Sequence, residues 1–308
     1  MINEPEPEQM VVATHDGTFH ADDVFATAIL HLALGNVRVL RTRDQDTIDA
    51  ADIAYDVGGT YDPVASRFDH HMAEPPTRKD GTPYSSAGLL WEHYGYQVLR
   101  RNGFETTPTA DIQDAWAAID ALFQHIDRVD NGVTPAGPTD IASIIDAMNP
   151  IWTDEDVNAE GNAFRRAVDF AEGHLQALIA REAGQLKAEL IVVDAAWRSE
   201  DPRLVVMDEY APFRRVVFDR GMREVLYVVS PGGKPDRWTV TAIPVAADSY
   251  VNRRDLPAHW AGLSDEALQE VTGVEDAVFA HRNLFIAIAK SKAGAMRLAQ
   301  IALEEPST

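Results

Sequence analysis

The sequence predicts an α/β protein: an N-terminal domain with a parallel sheet and helices on both of its faces, plus a smaller C-terminal α+β domain. Two observations support this prediction. Short apolar runs alternate with helical patterns through the first half of the chain, which is typical of parallel sheets. From about residue 188 the chain changes to short apolar runs separated by turn residues. The length of 308 residues suits two domains of ordinary size.

Three apolar runs in the first half predict strands: QMVVATH, VRVLRT and DIAYDVGG. A helix is predicted over ADDVFATAILHLAL, because Val24, Ala28 and Leu32 share one stripe and Gly35 is suited to end a helix. Two more helices are predicted, over SSAGLLWEHYGYQVLR with a serine cap and over residues 111–128. Ligands of parallel sheets gather at the carboxyl ends of the strands, so residues that follow the apolar runs are the candidates for function.

The second half begins with a long amphipathic pattern, AFRRAVDFAEGHLQALIAREAGQ, which predicts a connector helix. Five short strands are then predicted, over AELIVVD, RLVVMD, RRVVFD, REVLYVVS and RWTVTAIPV, with SPGGKPD as a hairpin-type turn between the last two. A final helix is predicted near residues 292–303. These patterns predict a disordered tail over residues 1–10 and two domains, over 11–187 and 188–308.

Composition excludes several classes of protein. The absence of cysteine rules out disulfides, thiolate metal sites and cysteine nucleophiles. The acidic, proline-rich start lacks the features of a signal peptide, and no apolar stretch is long enough to span a bilayer, so we expect a cytoplasmic protein with no membrane partner. The net charge of -22 disfavours long duplex nucleic acid, although bound divalent cations and a few arginines can make one cleft locally positive. A homo-oligomer remains possible.

Four clusters of potential metal ligands stand at predicted strand ends or in loops, and half of the ten histidines fall in three of them. The clusters are His15, Asp16, His20, Asp22 and Asp23; Asp56; Asp69, His70 and His71; and His125, Asp127 and Asp130. Imidazole and carboxylate together suit Mn²⁺, Zn²⁺, Fe²⁺ or Co²⁺, and this many candidates favour two metals over one. Singly, Asp22, Asp56 and Asp130 have simpler explanations, at a helix start or in turns.

The same motifs resemble the DHH phosphoesterase superfamily, and more closely its melanocyte-proliferating-gene exonuclease family, also described as metal-dependent protein hydrolases. The stretches that carry the resemblance are THDGTFHADD, DVGGTYDP, RFDHHM, YSSAGLLWEHYG, IDRVDNG, APFR, SYVNRRDLP, WAGLSDEAL and HRNLFIAIAKSKAGA. They cover almost the whole chain. The resemblance implies that residues 11–187 form a DHH-type metal-binding catalytic domain and that residues 188–308 bind substrate.

The resemblance also implies roles for individual residues. The implied metal ligands are His15, His20, Asp22, Asp56, His70 and Asp130, with Asp127 as a less favoured substitute for Asp130. His71 and Asp69 are the implied catalytic residues, His71 facing the scissile phosphate and Asp69 orienting a histidine. In the second domain, HRNLFIAIAKSKAGA lacks the Gly-Gly pair of the superfamily's substrate motif. Arg253, His281 and Lys290 remain candidates for binding phosphate or sugar, with surface or interdomain roles as equal alternatives.

The implied function is a divalent-metal-dependent phosphodiesterase, a 3′–5′ exonuclease that acts on RNA or short single-stranded oligonucleotides through a hydroxide activated by two metals. Two Mn²⁺ ions are the superfamily expectation, and Mg²⁺, Zn²⁺, Co²⁺ or Fe²⁺ are alternatives. Two other functions stay open: a phosphohydrolase of a small nucleotide or pyrophosphate, and a metal-binding regulatory protein without catalysis. Peptide hydrolysis ranks last, because no feature of the sequence indicates peptide recognition.

Overall fold

The computed structural model describes residues 9–104 and 109–305. Most of the tail predicted over residues 1–10 therefore lies outside the described residues. The chain forms two compact units, Met1–Ala183 and Gly184–Thr308.

The first unit contains a five-stranded sheet with the order β2-β1-β3-β5-β4. Its elements are β1 (Val11–Thr14), α1 (Ala21–Leu34), β2 (Arg38–Arg41), α2 (Gln45–Ala50), β3 (Ile53–Tyr55), β4 (Tyr61–Asp62), β5 (Arg67–Phe68), α3 (Ser86–Arg101), α4 (Thr109–Asp130) and α5 (Ile141–Asp146). Neighbouring strands are parallel except β4, which runs antiparallel to β5. The predicted parallel sheet is confirmed.

Helices cover both faces of this sheet. On one face, Ala13 and Ala54 pack with Ile48 of α2. On the other face, the hydroxyl of Tyr55 lies 2.6 Å from Oγ1 of Thr27 in α1. Strand residues alternate between faces, so the short strands β1 and β3 bury apolar side chains in both directions.

The next helix, α6 (Ala159–Trp197), contains the division between the two units. The strand predicted over AELIVVD is wrong, because these residues lie within α6. Its buried residues Ala188, Val192 and Ala195 recur at intervals of three to four, which is the period of one helix face. The sequence did not distinguish the two structures, because a short apolar run fits either a buried strand or a buried turn of helix.

The second unit contains a mixed sheet with the order β6-β7-β8-β10-β9, in which only the β6–β7 pair is parallel among the described strands. Its elements after α6 are β6 (Leu204–Val206), α7 (Phe213–Asp219), β7 (Tyr227–Pro231), β8 (Trp238–Ala242), a 3₁₀ turn (Ala258–Trp260), α8 (Asp265–Thr272), β9 (Ala277–Ala280), β10 (Ile286–Ala289) and α9 (Lys292–Glu304). The strand predicted over RRVVFD is wrong, because α7 occupies it. Val216 and Val217 are both buried in the same core cluster. Two consecutive side chains of a helix can face one core, whereas those of a strand point to opposite faces of the sheet.

Three segments that carry predicted ligands begin where parallel strands of the first unit end. His15 follows β1, Asp56 follows β3 and Asp69 follows β5. Tyr55 pairs with Phe68 in the sheet, so Asp56 and Asp69 leave it at the same level. The sheet therefore brings the three segments to its carboxyl-terminal edge.

The start of α3 depends on a close approach to α4 at Gly88. A Cβ atom at Gly88 would lie 2.3 Å from Oδ1 of Asp127, and that oxygen accepts hydrogen bonds from the backbone nitrogen of Ser85 at 2.9 Å and its Oγ at 2.6 Å. We expect Gly88→Ala to lower the free energy of unfolding by about 1–3 kcal/mol, because buried atoms must move. Urea denaturation measures this change.

The matched control is Gly173→Ala, in the interior of α6, where a Cβ atom meets no other atom within 4 Å. Alanine there should leave stability unchanged or raise it by about 0.5–1 kcal/mol. Equal stability of the two variants would show that the contact with Asp127 does not constrain α3.

Candidate metal centre

A cavity of about 1300 Å³ opens at the carboxyl-terminal edge of the sheet in the first unit. The loop after β1, the turn after β3, the DHH segment and the end of α4 contribute its walls. Three groups of side chains at this edge present ligand atoms within 4.8 Å of one another, and all of their members except Asp23 line the cavity. The first group is His15, Asp23 and Asp56; the second is Asp56, Asp69, His70 and His71; the third is Asp22, His70 and Asp130.

Asp56 belongs to both the first and the second group. Its Oδ2 lies 3.2 Å from Nε2 of His15, and its Oδ1 lies 3.3 Å from Nε2 of His70. The two oxygens of one carboxylate thus face two different imidazoles. The backbone of Asp56 has a φ of 55°, a left-handed conformation that aspartate adopts more readily than most residues and that is found at functional sites.

His70 connects the second group to the third. Its Nε2 lies 3.4 Å from Oδ2 of Asp130, at the end of α4, and 3.7 Å from Oδ2 of Asp22, in the first turn of α1. Distant parts of the sequence therefore meet at one imidazole nitrogen.

His15 is oriented by its own loop. Its Nδ1 lies 2.9 Å from the carbonyl oxygen of Asp16. Because a carbonyl oxygen only accepts, Nδ1 carries a hydrogen, and Nε2 is the nitrogen that a metal would bind in place of a proton. Nε2 also lies 3.5 Å from Oδ2 of Asp23, a residue absent from the predicted ligands. Asp23 is fully buried, which is unusual for a carboxylate that only complements a helix dipole.

The pKa values show how strongly these groups act on one another. Burial and the negative charge of Asp56 raise the pKa of Asp23 to about 7. Burial and the charges of Asp56 and Asp130 raise the pKa of Asp22 well above its usual range. Burial alone would lower the pKa of His15, but its contact with Asp56 and the charge of Asp23 outweigh burial and raise the pKa to about 9. The raised pKa values mean that Asp22, Asp23 and His15 hold protons more tightly than usual, so the cluster attracts positive charge.

The donor set fits divalent cations. Both oxygens of Asp22, Oδ2 of Asp23, Oδ1 of Asp56 and Nε2 of His70 are buried and, among the described residues, have no hydrogen-bond partner of normal geometry. Buried carboxylate oxygens without donors cost free energy unless a cation neutralises them. Imidazole nitrogen and carboxylate oxygen are the donors that Mn²⁺, Fe²⁺, Co²⁺ and Zn²⁺ accept.

Asp69 and His71 differ from the other members of the second group. Oδ1 of Asp69 accepts hydrogen bonds from the backbone nitrogens of His70 and His71, at 2.7 and 3.1 Å, and from Nδ1 of His71 at 2.9 Å. Its Oδ2 accepts from the backbone nitrogen of Gly59 at 2.5 Å. Asp69 is therefore occupied by the loop that it orders, whereas the side chain of His71 is 64% exposed and faces the cavity.

Four residues of the predicted clusters lie outside the three groups: Asp16, His20, His125 and Asp127. His20 lines the same cavity, and its ring centroid is 5.9 Å from that of His15, but it is exposed. Nε2 of His125 pairs with Oδ2 of Asp140 at 2.6 Å.

Asp127 is also occupied, although it is the alternative to Asp130. It accepts hydrogen bonds from Nε of Arg78 and from Ser85 and is fully buried. The same guanidinium contacts Asp120 through Nη1 at 2.9 Å. This network ties α4 to the start of α3 and leaves Asp130 as the carboxylate that reaches the cavity.

The three candidates of the second unit do not form one cluster. Nη1 of Arg253 donates to the carbonyl oxygens of Met222 and Val225, at 2.7 and 2.8 Å, so it ties loops together. His281 follows β9 and accepts from the backbone nitrogen of Asn283 at 3.0 Å. Lys290 follows β10, which runs antiparallel to β9, so the two residues lie at opposite ends of that strand pair.

The segment HRNLFIAIAKSKAGA, which lacks the Gly-Gly pair of the superfamily motif, makes its own polar contacts. A Cβ atom at Gly294, near the start of α9, would lie 1.9 Å from Oδ1 of Asp276. Ser291 caps the same helix through a hydrogen bond from the backbone nitrogen of Gly294 at 3.0 Å. A carboxylate therefore already occupies the space next to this helix start, where a phosphate-binding segment would need room.

The fold and the three groups define the class: an α/β protein whose parallel sheet ends in a buried imidazole–carboxylate centre suited to divalent metal. The chain belongs to the MYG1 exonuclease family, described as an uncharacterised protein family (UPF0160), whose profile matches residues 11–303. Human MYG1 exonuclease is 30% identical, over 96% of this chain and 86% of its own length. The MYG1 protein C694.04c of Schizosaccharomyces pombe is 29% identical, over 96% and 98%. The family predicted from the motifs is confirmed.

Solved structures with some likeness include RecJ from Thermus thermophilus in complex with Mn²⁺, at 17% identity and a TM-score of 0.29. An exonuclease RecJ bound to manganese matches at 14% identity and a TM-score of 0.30. The first match covers 96% of this chain and 52% of the RecJ chain, so this protein spans about half the length of that RecJ. A likeness at this level does not determine function.

Across the part of the chain that the structure describes, no helix has both the length and the apolar character needed to cross a bilayer.

The contrast between Asp127 and Asp130 can be tested by substitution. Asp130→Asn should keep the fold but lower the amount of divalent cation that the protein retains, because it removes a carboxylate from the third group. Asp127→Asn should keep the metal groups but lower the free energy of unfolding by about 3 kcal/mol or more, since Arg78 loses a buried partner. Metal analysis after dialysis and urea denaturation separate the two effects, and a reversed pattern would contradict this assignment.

Proposed function

We propose that this protein is a divalent-metal-dependent phosphodiesterase, a 3′–5′ exonuclease that acts on RNA or short single-stranded oligonucleotides. The observation that carries the proposal is the position of Asp56, whose two oxygens face the imidazoles of His15 and His70. A carboxylate shared by two ligand groups is the arrangement expected for a pair of metal ions that act together on one phosphate. The similarity to proteins named MYG1 exonuclease supports this choice of reaction.

The first ion would be held by His15, Asp23 and Asp56, and the second by Asp22, Asp56, His70 and Asp130. Bound divalent ions would supply Lewis-acid activation of water and would offset the negative charge that develops on the phosphoryl group. Mn²⁺ is the proposed ion. The mixed imidazole and carboxylate donors suit it as well as Fe²⁺, Co²⁺ and Zn²⁺, and the resemblance to the DHH superfamily selects Mn²⁺ among them. His20, which the resemblance implies as a ligand, belongs to none of the three groups, so we propose it as a neighbour of the site and not as a ligand in either set.

The chain's own residues supply the proton chemistry and the orientation. Asp69 fixes the ring of His71 through Nδ1, and Nε2 of His71 has no partner among the described residues at the cavity wall. There it is positioned to hydrogen-bond a phosphate oxygen or to give a proton to the oxygen that leaves as the P–O bond breaks. Water supplies the oxygen of the new P–O bond, and the products are a phosphate monoester and a shortened chain.

Single-stranded substrates fit the charge of the protein better than long duplexes. A net charge of -22 repels polyanions over a distance, and the repulsion grows with the number of phosphates near the surface. A short single strand places few phosphates near the protein and can present one end to the cavity.

The first test replaces the shared carboxylate. We expect Asp56→Asn to lose most bound Mn²⁺ and to reduce exonuclease activity by at least about 10³-fold, because one change weakens both metal positions. Asp146→Asn is the control, since Asp146 lines the same cavity but belongs to none of the three groups. Metal content and activity are measured on the same preparations. Two ions still bound to Asp56→Asn would contradict the shared role of Asp56.

The second test identifies the substrate. Purified protein with Mn²⁺ is incubated with 5′-labelled oligoribonucleotide, the matching oligodeoxyribonucleotide, mononucleotides and pyrophosphate. The proposal expects a ladder of RNA products shortened from the 3′ end, abolished by EDTA and restored by Mn²⁺. Cleavage of mononucleotides or pyrophosphate with intact oligonucleotides would favour a small-molecule phosphohydrolase. Bound metal without hydrolysis of any substrate would favour a regulatory protein.

A further inference from the structure

The cavity contains many acidic groups, several histidines and little permanent positive charge. Its acidic residues are Asp16, Asp22, Asp56, Asp69, Asp130 and Asp146. Among the described residues that line it, Arg43 is the one arginine or lysine. A phosphate that approaches this cavity therefore meets one permanently cationic side chain of the protein besides any bound metal.

The backbone around Arg43 is fixed on both sides. Before it, the backbone nitrogen of Thr42 donates to the carbonyl oxygen of Thr14 at 2.8 Å, which extends the pairing of β2 with β1. After it, the carboxylate of Asp44 accepts from the backbone nitrogen of Thr47 at 2.9 Å and caps α2. Arg43 consequently leaves the sheet at the same edge as His15, on the neighbouring strand.

The guanidinium of Arg43 contacts Asp16 through one of its edges. Nε lies 3.2 Å from Oδ1 of Asp16, and Nη2 makes a longer contact, of 3.4 Å, with the carbonyl oxygen of the same residue. Nη1 has no partner among the described residues, and the side chain is 66% exposed. The contacts with Asp16 thus orient the group while leaving donors free on its outer edge.

Arg41, two residues before Arg43 in the sequence RTRD, has a structural role. Arg41 donates to Oε1 of Glu160 at 2.6 Å and to the carbonyl oxygen of Gly17 at 2.7 Å, and its guanidinium stacks 4.4 Å from the ring centroid of Phe164. These contacts hold the Asp16–Gly17 loop in place. Arg41 is therefore used for structure, whereas Arg43 keeps its outer donors available.

We propose that Arg43 binds a phosphate group of the substrate through its free guanidinium edge and positions it beside the metal centre. This inference rests on the proposed function for its choice of substrate. Arginine suits the role because its planar fork makes two parallel hydrogen bonds to phosphate oxygens, whereas lysine offers a single charge. Arg43 acts by binding and orienting, so its loss should affect binding more than the chemical step.

The test compares Arg43→Ala and Arg43→Lys with Arg38→Ala. Arg38 lies at the opposite end of β2 and is exposed, so it is a matched loss of one positive charge away from the cavity. For oligoribonucleotide cleavage with Mn²⁺, Arg43→Ala should raise KM on the order of tenfold while kcat changes much less. Arg43→Lys should recover part of this loss, and Arg38→Ala should match the unsubstituted protein. Bound Mn²⁺ should be the same in all four proteins.

A binding measurement keeps this inference separate from the proposed function. Calorimetry with adenosine 5′-monophosphate and with adenosine, both in the presence of Mn²⁺, isolates the contribution of the phosphate. The unsubstituted protein should bind the monophosphate at least about tenfold more tightly than adenosine, and Arg43→Ala should lose this advantage. The inference is overturned if Arg43→Ala keeps the advantage, if the unsubstituted protein shows none, or if both Arg43 variants lose their metal. The protein could fail to cleave RNA and still show a phosphate preference that depends on Arg43. That result would contradict the proposed exonuclease function but not the proposed role of Arg43.

Discussion

The first unit concentrates buried carboxyl groups at one edge of its sheet, and the structure around that edge must hold these groups together. Asp22, Asp23 and Asp56 are almost completely buried, and Asp130 is close to them. Carboxylates removed from water in this way repel one another and raise the pKa of Asp22 and Asp23. The short strands, the left-handed backbone at Asp56 and the loop after β1 all keep these groups together. Such an arrangement costs free energy that cation binding can offset, which connects the architecture directly to the proposed chemistry.

Hydrogen bonding divides the acidic residues of this region into two kinds. Asp69 and Asp127 are as buried as the candidate ligands, but backbone nitrogens or an arginine satisfy their oxygens. The oxygens of Asp22 have no such donors among the described residues. A carboxylate that is saturated by donors orders the chain, whereas an unsaturated one is available to a cation. This difference separates Asp127 from Asp130 more clearly than their positions in the sequence, which are one helix turn apart.

The sequence was most informative where pattern and local structure agree. ADDVFATAILHLAL coincides with α1, because its apolar stripe and Gly35 act locally. The strands predicted over AELIVVD and RRVVFD failed, because tertiary packing decides whether a short apolar run becomes a strand or a helix turn. Within the site, the motifs led to His15, Asp22, Asp56, His70 and Asp130, which the structure brings together. Asp23 was among the candidate residues but not among the implied ligands, because the family motif carries over to Asp22 and an Asp-Asp pair in a first helix turn also complements the dipole. Its complete burial and its position beside His15 are visible in the structure alone.

The acidic surface and the proposed role of Arg43 together define how a phosphate could be selected. A protein with a net charge of -22 gains little from long-range attraction of polyanions. Recognition must then come from short-range contacts that form only after a phosphate has entered the cavity. An oriented guanidinium beside a metal centre is such a contact, since it is directional and counteracts the repulsion from the surrounding carboxylates. On this argument the cavity discriminates by the fit of one phosphate at the end of a chain, and additional phosphates outside it add repulsion rather than affinity.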